Sequence, residues 1–313
     1  MAGKPIMVYL TMKGGVGKTT LAANITRAIA DLQKKRILLI DADSQCNLTQ
    51  LFSTPEEMDN VNDRTIYTAL AGHKLYPPIE LSTRIYNNEA NGSEIYFIPG
   101  SFETFRLAVD ASPLIEKRTQ QRFTEFIKQA QADFDLVVMD TNPSATLMTM
   151  QALAVSNFLV APISFDKFSM RGIHLITSLL GSRFDWLTNP LRVRIVPNRI
   201  KRPTDEQARA RLLRDERKVQ DAFPDLSRSF VPTYVRESLI ISNENRRHRF
   251  IAEQSVPNTE ALRNLLEDFD NVASDLLSTF RRAFGDESKK PPTVIRAMQQ
   301  AYQSLFGGAV DRH

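Results

Sequence analysis

Residues 12–20 of this 313-residue chain read MKGGVGKTT, and this stretch joins two segments of different periodicity. Before it lies the continuous apolar run IMVYL (6–10), and after it lies KTTLAANITRAIADLQ (18–33), whose apolar residues recur at helical spacing. A glycine-rich turn between a strand and the N-terminus of a helix binds phosphate, because backbone N–H groups and the helix dipole both attract anions. We therefore expect a phosphate cradle formed by Gly14, Gly15, Val16 and Gly17.

The side chains that follow the glycines complete this prediction. Lys18 is placed to contact the β and γ phosphates, Thr19 to bind Mg²⁺, and Thr20 to reach the α phosphate. The standard Walker A expression fails, because Met12 stands where that expression has its first glycine. The loop also contains a second lysine, Lys13, which phosphate binding by one chain does not require.

Further apolar runs along the chain predict the fold class. Each is short, is followed by polar turn residues, and leads into a helical stretch, as expected for strands that are buried on both faces. The runs are RILLI (36–40), IYFIP (95–99), DLVVMD (135–140), FLVAPI (158–163) and VRIVP (193–197). The predicted architecture is α/β, with a mostly parallel twisted sheet and helices on both faces, as in the P-loop NTPases.

Composition shifts divide the chain into three predicted parts. Residues 1–284 form the nucleotide-binding domain, GDESKKPP (285–292) forms a linker, and residues 293–313 form an amphipathic helix and tail. Within the domain, Thr204 and Gln207 make a capping-box signature that predicts a highly charged helix. The simplest interpretation of those helix charges is solvation.

Charge and cysteine content limit the classes of function. The stretch from Arg192 to Arg249 contains 15 Lys or Arg and 8 Asp or Glu, so its net charge is +7. The net charge of the whole chain is +4, and the remainder therefore carries −3. A locally basic surface indicates an anionic partner such as nucleic acid. The single Cys46 excludes an internal disulfide. The sequence shows no signal peptide and no apolar run of roughly 18 residues, so we expect a cytoplasmic protein.

The motifs together resemble those of the ParA/MinD ATPases, whose deviant Walker A signature is KGGVGKTT. The resemblance extends over about residues 4–270, in the family's order and approximate spacing. It is carried by LLIDADSQCNLT (38–49), DFDLVVMDTNPS (133–144), VAPISFDKFSMRGI (160–173), RIVPNRI (194–200) and FVPTYVRES (230–238).

The resemblance implies roles for individual residues. Lys13 would cross a dimer interface to the phosphates of the partner's nucleotide, so that dimerisation depends on ATP. Asp43 would position the attacking water, with Lys13 and Lys18 as the other catalytic residues, whereas Asp41 and Asp140 would hold Mg²⁺ through its waters. An isolated aspartate after a strand is more commonly a cap or turn residue, but three beside a phosphate loop favour a site.

The same resemblance assigns a nucleotide contact to the segment VPNR. Asn198 would hydrogen-bond adenine, with Arg199 beside it, although a simple turn asparagine is an alternative interpretation. Two positions depart from the family pattern, since Ser44 and Asn142 replace prolines in loops expected to sense the γ phosphate. We expect these changes to affect the rate of switching more than the activity itself.

The function favoured by the sequence is ATP-dependent DNA partition. An ATP-bound homodimer would bind nonspecific DNA through Arg236, Arg246, Arg247 and Arg249, and a ParB-like centromere-binding protein would stimulate its slow hydrolysis. The phosphate loop begins only a dozen residues in, so no DNA-binding domain is expected ahead of it. The protein would be associated with the nucleoid, with no stable membrane association.

Other functions share this type of ATPase module. A MinD-like membrane protein needs a basic amphipathic helix, yet the helix predicted after residue 293 carries Arg296 as its one cation among polar residues. An electron carrier of the nitrogenase-reductase type needs two cysteines per subunit, which a single Cys46 excludes. No motif indicates the substrate pocket of a metabolic ligase. The membrane alternative stays open.

Overall fold

A computed structural model of the protein describes most of the chain. The described residues are 4–54, 56, 64–71, 76–109, 113–144, 146–181, 184–188, 192–201, 206–242, 250–253 and 259–284. The predicted linker (285–292), the predicted C-terminal helix and tail (293–313) and three of the candidate DNA-binding arginines (Arg246, Arg247 and Arg249) lie outside these ranges.

An eight-stranded sheet forms the centre of the fold. Its strands are β1 (Ile6–Tyr9), β2 (Arg36–Ala42), β3 (Thr83–Asn88), β4 (Ser93–Ile98), β5 (Leu136–Thr141), β6 (Phe158–Ile163), β7 (Val193–Ile200) and β8 (Val235–Arg236). Their spatial order is β3-β4-β2-β5-β1-β6-β7-β8. Only β3 and β4 pair antiparallel, at one edge, and all the other neighbours are parallel.

Helices connect the parallel strands across the sheet. They are α1 (Lys18–Gln33), α2 (Asn47–Phe52), α3 (Ile66–Ala71), α4 (Pro78–Leu81), α5 (Thr104–Val109), α6 (Pro113–Asp133), α7 (Leu147–Val155), α8 (Lys167–Leu180), α9 (Glu206–Ala222), α10 (Leu239–Ser242) and α11 (Glu260–Phe284). Short 3-10 helices occupy Asp185–Thr188, Pro224–Ser229 and Ile251–Glu253. Among the described residues, no helix is both long and apolar enough to cross a bilayer.

The sheet is buried on both faces, which explains its continuous apolar strands. Every residue of β1, β5 and β6 is buried. Alternate side chains enter separate cores, one that includes Leu21 of α1 and Phe269 of α11 and another that includes Phe123 of α6 and Leu153 of α7. A sheet covered in this way has little access to solvent except at its edges and at the ends of its strands.

The predicted fold class is confirmed. All six predicted strands are present, and the highly charged helix predicted after Thr204 begins at Glu206 and ends at Ala222. No apolar run in the sequence predicted β3 or β8 as strands. β3 is largely solvent-exposed and lacks an apolar run, and β8 contains only two residues.

Parallel strands place the candidate site at one edge of the sheet. The carboxyl ends of β1, β2, β5, β6 and β7 lie side by side there, because these strands run in the same direction. Open α/β sheets bind their ligands at this edge. The phosphate loop follows β1, and the other predicted site residues up to Arg199 lie in or just after their strands at the same edge.

Candidate functional site

The phosphate loop has the backbone geometry of an anion cradle. Gly15 and Gly17 adopt φ values of +77° and +84°, a left-handed conformation that glycine reaches without steric cost. Helix α1 begins immediately afterwards at Lys18. Where left-handed residues alternate with residues of ordinary backbone conformation, successive N–H groups turn toward one concavity. The helix dipole adds positive potential there. A Cβ at Gly17 would also overlap the side-chain amide of Asn198.

The loop brings Lys18 and Thr19 onto Asp140 at the end of β5. The Lys18 ammonium donates a hydrogen bond to Asp140 Oδ1, and the Thr19 hydroxyl donates to Oδ2 over 2.7 Å. Lys18 and Asp140 are both buried. Burial raises the pKa of Asp140, although the charge and hydrogen bond of Lys18 act to lower it. The structure thus unites the predicted lysine with two of the predicted magnesium ligands.

Asp43 faces the same lysine and is oriented by two donors. Its Oδ1 accepts hydrogen bonds from the Gln45 backbone N–H and from Asn142 Nδ2, both over 2.9 Å. Its Oδ2 is buried, lies 4.0 Å from Lys18 Nζ, and has no hydrogen-bond partner within the described ranges. A buried carboxylate oxygen without a donor indicates a place for a further polar group, such as a water or a cation.

Asp41 is fully buried at the end of β2. Its Oδ2 accepts from the backbone and hydroxyl of Thr49 over 2.8 and 2.7 Å, and its Oδ1 accepts from the Asp43 N–H over 3.1 Å. Gly100 packs so closely that a Cβ there would lie 3.0 Å from the carboxyl carbon. Burial and the neighbouring Asp140 carboxylate raise the pKa of Asp41 to about 7. Asp41 therefore organises the loop after β2, and its contact with Mg²⁺ stays a prediction.

Lys13 is bound to a residue of its own chain. Its Nζ lies 2.9 Å from Oδ2 of Asp166, the N-cap of α8. Asp166 also accepts hydrogen bonds from the hydroxyls of Ser164 and Ser169 and from the N–H groups of Phe168 and Ser169. Burial acts to raise the pKa of Asp166, but these donors and Lys13 outweigh it and hold that pKa below its usual value.

Asn198 and Arg199 contact the phosphate loop from the end of β7. Asn198 Nδ2 donates to the Val16 carbonyl over 2.7 Å, and Arg199 Nη1 donates to the Gly15 carbonyl over 2.8 Å. Asn198 is buried, and in the described part of the chain its Oδ1 has no donor. That free acceptor suits an amino group such as the one on adenine. The adenine contact itself stays a prediction.

The guanidinium group of Arg236 forms an ion pair with Asp268. It donates to both carboxylate oxygens of Asp268 on α11, over 2.7 and 2.6 Å, and its backbone N–H donates to the same carboxylate. A bidentate pair of this kind compensates the positive charge of the arginine. Arg236 thus joins β8 to α11, and its contact with DNA phosphate stays a prediction.

The arrangement fits a magnesium nucleoside triphosphate. The loop offers N–H groups and Lys18 to phosphate oxygens, and the Thr19 hydroxyl lies on Asp140, where an oxygen-preferring cation would bind. Across the described residues, no three His, Cys, Asp or Glu side chains converge as direct ligands of one metal ion. Magnesium usually keeps several waters and takes few protein ligands, so this donor set suits it.

Three contacts of the site were not predicted from the sequence. Asp166 holds Lys13, Asn142 holds Asp43, and Thr49 holds Asp41. Asp166 had a local signal, because an aspartate just before a helical stretch is a common N-cap. Asn142 was noted only as a departure from the family pattern, and no signal in the sequence pairs it with Asp43.

Comparison with known proteins gives the family. A family model described as an AAA domain, AAA_31, matches residues 4–189, more than half of the chain. The chain belongs to this family. The matched region of the AAA domain contains the phosphate loop and the three aspartates, Asp41, Asp43 and Asp140.

Two curated relatives of the chain carry names of the partition ATPase or ParA type. The chain is 26% identical over 171 residues to the chromosome-partitioning ATPase Soj of Treponema pallidum, covering 54% of this chain and 61% of that protein. It is 28% identical over 187 residues to a virulence plasmid ParA family protein of Chlamydia psittaci, covering 58% of this chain and 66% of that one. It thus spans less than two thirds of the length of either relative. The predicted resemblance to ParA-type partition ATPases is confirmed.

Solved structures share the fold across most of the chain. A plasmid partition protein of Borrelia burgdorferi bound to AMPPNP has a TM-score of 0.61 at 19% identity, covering 88% of this chain and 99% of that one. The pNOB8 ParA bound to nonspecific DNA has a TM-score of 0.60 at 16% identity, covering 89% and 99%. A cobyrinic acid a,c-diamide synthase of Mycobacterium smegmatis bound to an ATP analogue and magnesium has a TM-score of 0.59 at 18% identity, covering 92% and 98%.

Proposed function

We propose that this protein is an ATP-dependent DNA partition ATPase whose ATP-bound dimer binds nonspecific DNA. The observation that carries the proposal is the unequal placement of the two lysines in the phosphate loop. Lys18 is buried against Asp140 and Asp43, whereas the Lys13 side chain is 43% exposed at the mouth of the loop. One lysine can therefore serve the chain's own nucleotide, and the other can reach a second molecule.

ATP with Mg²⁺ is the proposed ligand. Residues 14–20 would hold the phosphates, with N–H groups of the loop and the Lys18 ammonium on their oxygens. Thr19 and Asp140 would hold Mg²⁺, and Asn198 would offer Oδ1 to the base. When bound, the cation neutralises charge that develops on the phosphates as the terminal phosphoryl group is transferred. Support comes from the contacts of Lys18 and Thr19 with Asp140 and from the nucleotide-bound structures that share the fold.

Asp43 is proposed to orient the attacking water. Asn142 and the Gln45 N–H fix one of its oxygens, so the free Oδ2 keeps a constant direction beside Lys18. A carboxylate oxygen can accept a hydrogen bond from water and hold it in line with the bond that breaks. Turnover is expected to be slow without a partner, as the resemblance to the ParA family implies.

Lys13 is proposed to supply that group across a dimer interface. A second cation on the triphosphate stabilises transition-state charge in the way that an arginine finger does. Lys13 must leave Asp166 to do so. Dimerisation therefore depends on ATP, because the phosphates of ATP attract Lys13 more strongly than the Asp166 carboxylate does. We expect Lys13→Ala to remain monomeric with ATP in light-scattering measurements.

The proposed DNA contact is electrostatic. Arg246, Arg247 and Arg249 lie within four positions of one another in the stretch that carries +7. Arg236, the fourth arginine predicted to bind DNA, is bound to Asp268, so the proposal rests on the other three. Cations on DNA phosphates release counterions, and the affinity should therefore fall steeply with salt. A ParA that shares the fold is bound to nonspecific DNA.

The remaining parts of the proposal follow from the ParA resemblance. A ParB-like centromere-binding protein would stimulate hydrolysis and release the dimer from DNA. The protein would then be cytoplasmic and associated with the nucleoid. The relatives named as chromosome-partitioning and plasmid proteins support this context.

The deciding experiment measures DNA binding in three nucleotide states. A nonspecific duplex is titrated with the protein in ATP, in ADP and without nucleotide, at two salt concentrations. Binding that requires ATP and weakens steeply with salt supports the proposal. Arg246→Ala combined with Arg247→Ala should abolish this binding and leave ATP binding intact. Absence of DNA binding with ATP, together with recruitment to anionic liposomes, would instead identify a MinD-like membrane protein.

A further inference from the structure

A bulge at the end of β7 changes the direction of Arg199. Asn198 pairs with Val235 of β8 and Ile200 pairs with Arg236, so Arg199 is an extra residue between two consecutive pairs. Its φ is +59°, a left-handed conformation that is uncommon for a residue with a side chain. Bulges of this kind often lie beside functional sites, where they redirect a side chain.

The bulge lets two adjacent residues contact the same loop. In a regular strand, neighbouring side chains point to opposite faces of the sheet, so Asn198 and Arg199 would diverge. Here both reach the phosphate loop, Asn198 Nδ2 at the Val16 carbonyl and Arg199 Nη1 at the Gly15 carbonyl. Consecutive residues of β7 thus bind consecutive carbonyl groups of the loop.

Carbonyl groups of the phosphate loop accept both hydrogen bonds. A loop that presents its N–H groups to phosphate must turn its carbonyl groups outward, and those carbonyls need donors of their own. Glu237 Oε1 lies 3.7 Å from Arg199 Nη2 and forms an exposed ion pair with the guanidinium. The Glu237 N–H donates to the Ile200 carbonyl, which fixes the backbone that carries this carboxylate.

We propose that Arg199 is a positioning residue that holds the Gly15 carbonyl outward and so keeps the phosphate loop in its binding conformation. In this role it binds the loop, whereas the family resemblance implies a contact with the nucleotide. The inference rests on the proposed function, because it assumes that the loop binds ATP. The strained backbone at Arg199 is consistent with a role at the site, since such strain persists where function requires it.

The test replaces Arg199 by glycine. Glycine accepts the left-handed backbone of the bulge, so Arg199→Gly removes the guanidinium and preserves the conformation of the strand. Arg199→Lys keeps the charge but loses the planar fork that reaches both Gly15 and Glu237. Arg217→Ala, which removes an exposed arginine from α9, is the matched control for loss of a surface cation. ATP affinity is measured with a fluorescent ATP analogue and magnesium, and thermal unfolding is measured without nucleotide.

We expect Arg199→Gly to weaken ATP binding about five- to tenfold, because the lost bond is one charged donor on a carbonyl at a partly exposed position. Arg199→Lys and Glu237→Gln should each have a smaller effect, and Arg217→Ala none. The unfolding temperature of Arg199→Gly should stay within a few degrees of the unmutated chain, and added guanidinium ion should restore part of its affinity.

Equal ATP affinity of Arg199→Gly and the unmutated chain would overturn the inference and leave the proposed function intact. A loss of affinity that accompanies a large fall in unfolding temperature would also overturn it, because the effect would then be one of general stability. If the unmutated chain did not bind ATP, the proposed function would fail and the inference with it.

Discussion

Lys13 Nζ and Asp166 Oδ2 lie 2.9 Å apart, so the exposed lysine of the phosphate loop is bound to the N-cap of α8 in its own chain. This ion pair competes with any contact that Lys13 makes to a second molecule. A pair with both partners partly exposed is weak, of the order of 0.2–1 kcal/mol. The competition is therefore modest and can be measured.

We predict that Asp166→Asn strengthens ATP-dependent self-association two- to fivefold. Asparagine is as good an N-cap as aspartate, so α8 is preserved while the charge that holds Lys13 is lost. The measurement is the protein concentration at half-dimerisation with ATP, by light scattering. The control is Asp166→Asn combined with Lys13→Ala, in which no gain should appear. Weaker dimerisation of the single variant would mean that Asp166 presents Lys13 to its partner.

The same carboxylate predicts a pH dependence of stability. The pKa of Asp166 is lowered in the folded protein, so the unfolded chain binds its proton first as the pH falls. Its contribution to the free energy of unfolding is complete above the ordinary pKa of aspartate, about 3.9, and is lost progressively below that value. Urea unfolding of Asp166→Asn should therefore vary less between about pH 5 and pH 2 than that of the unmutated chain. The assignment would be contradicted if the free energies of unfolding of the variant and the unmutated chain changed equally with pH.

Asn142 should affect catalysis more than nucleotide binding. Its amide donates to Asp43 Oδ1, and Ser144 in turn donates to the Asn142 side chain over 2.5 Å. We predict that Asn142→Ala lowers kcat for ATP about tenfold, equivalent to about 1.4 kcal/mol, and leaves KM nearly unchanged. Asn142→Asp should lower kcat further, because it places a second carboxylate on Asp43. Unchanged turnover of both variants would show that Asp43 does not need this donor.

The pair between Arg236 and Asp268 should matter for stability. Asp268 is buried, and Asp268→Ala would leave the Arg236 guanidinium without its bidentate acceptor. Breaking a fully buried pair costs about 3–5 kcal/mol, and since the Arg236 side chain is 25% exposed we expect about 2 kcal/mol in the free energy of unfolding. Denaturant unfolding measures this loss.

Arg236→Gln separates the structural role from the proposed DNA contact. Glutamine removes the positive charge and cannot form the bidentate pair, so stability should fall while DNA affinity stays the same. The comparison variant combines Arg246→Ala with Arg247→Ala. Its DNA affinity should fall while its stability stays the same. A loss of DNA affinity in Arg236→Gln, measured under conditions in which the variant stays folded, would assign Arg236 to the DNA surface.

Local sequence patterns determined the sheet and its phosphate loop. Continuous apolar runs predicted six strands, because a strand buried on both faces has no polar positions. The glycines of MKGGVGKTT predicted the cradle, because left-handed backbone at Gly15 and Gly17 requires them. The short edge strand β8 and the exposed strand β3 were not predicted, because strands at a sheet edge carry no strong apolar pattern in their residues.

Tertiary structure alone decided the partners of the site residues. Lys13 and its acceptor Asp166 are 153 positions apart, and Asp43 and its donor Asn142 are 99 apart. Arg236 was predicted from its charge to bind DNA, but its acceptor Asp268 lies 32 positions further along the chain. The donor and acceptor groups of a side chain determine which hydrogen bonds it can make. The order of the strands and the packing of the helices determine which partner lies within about 3 Å of it.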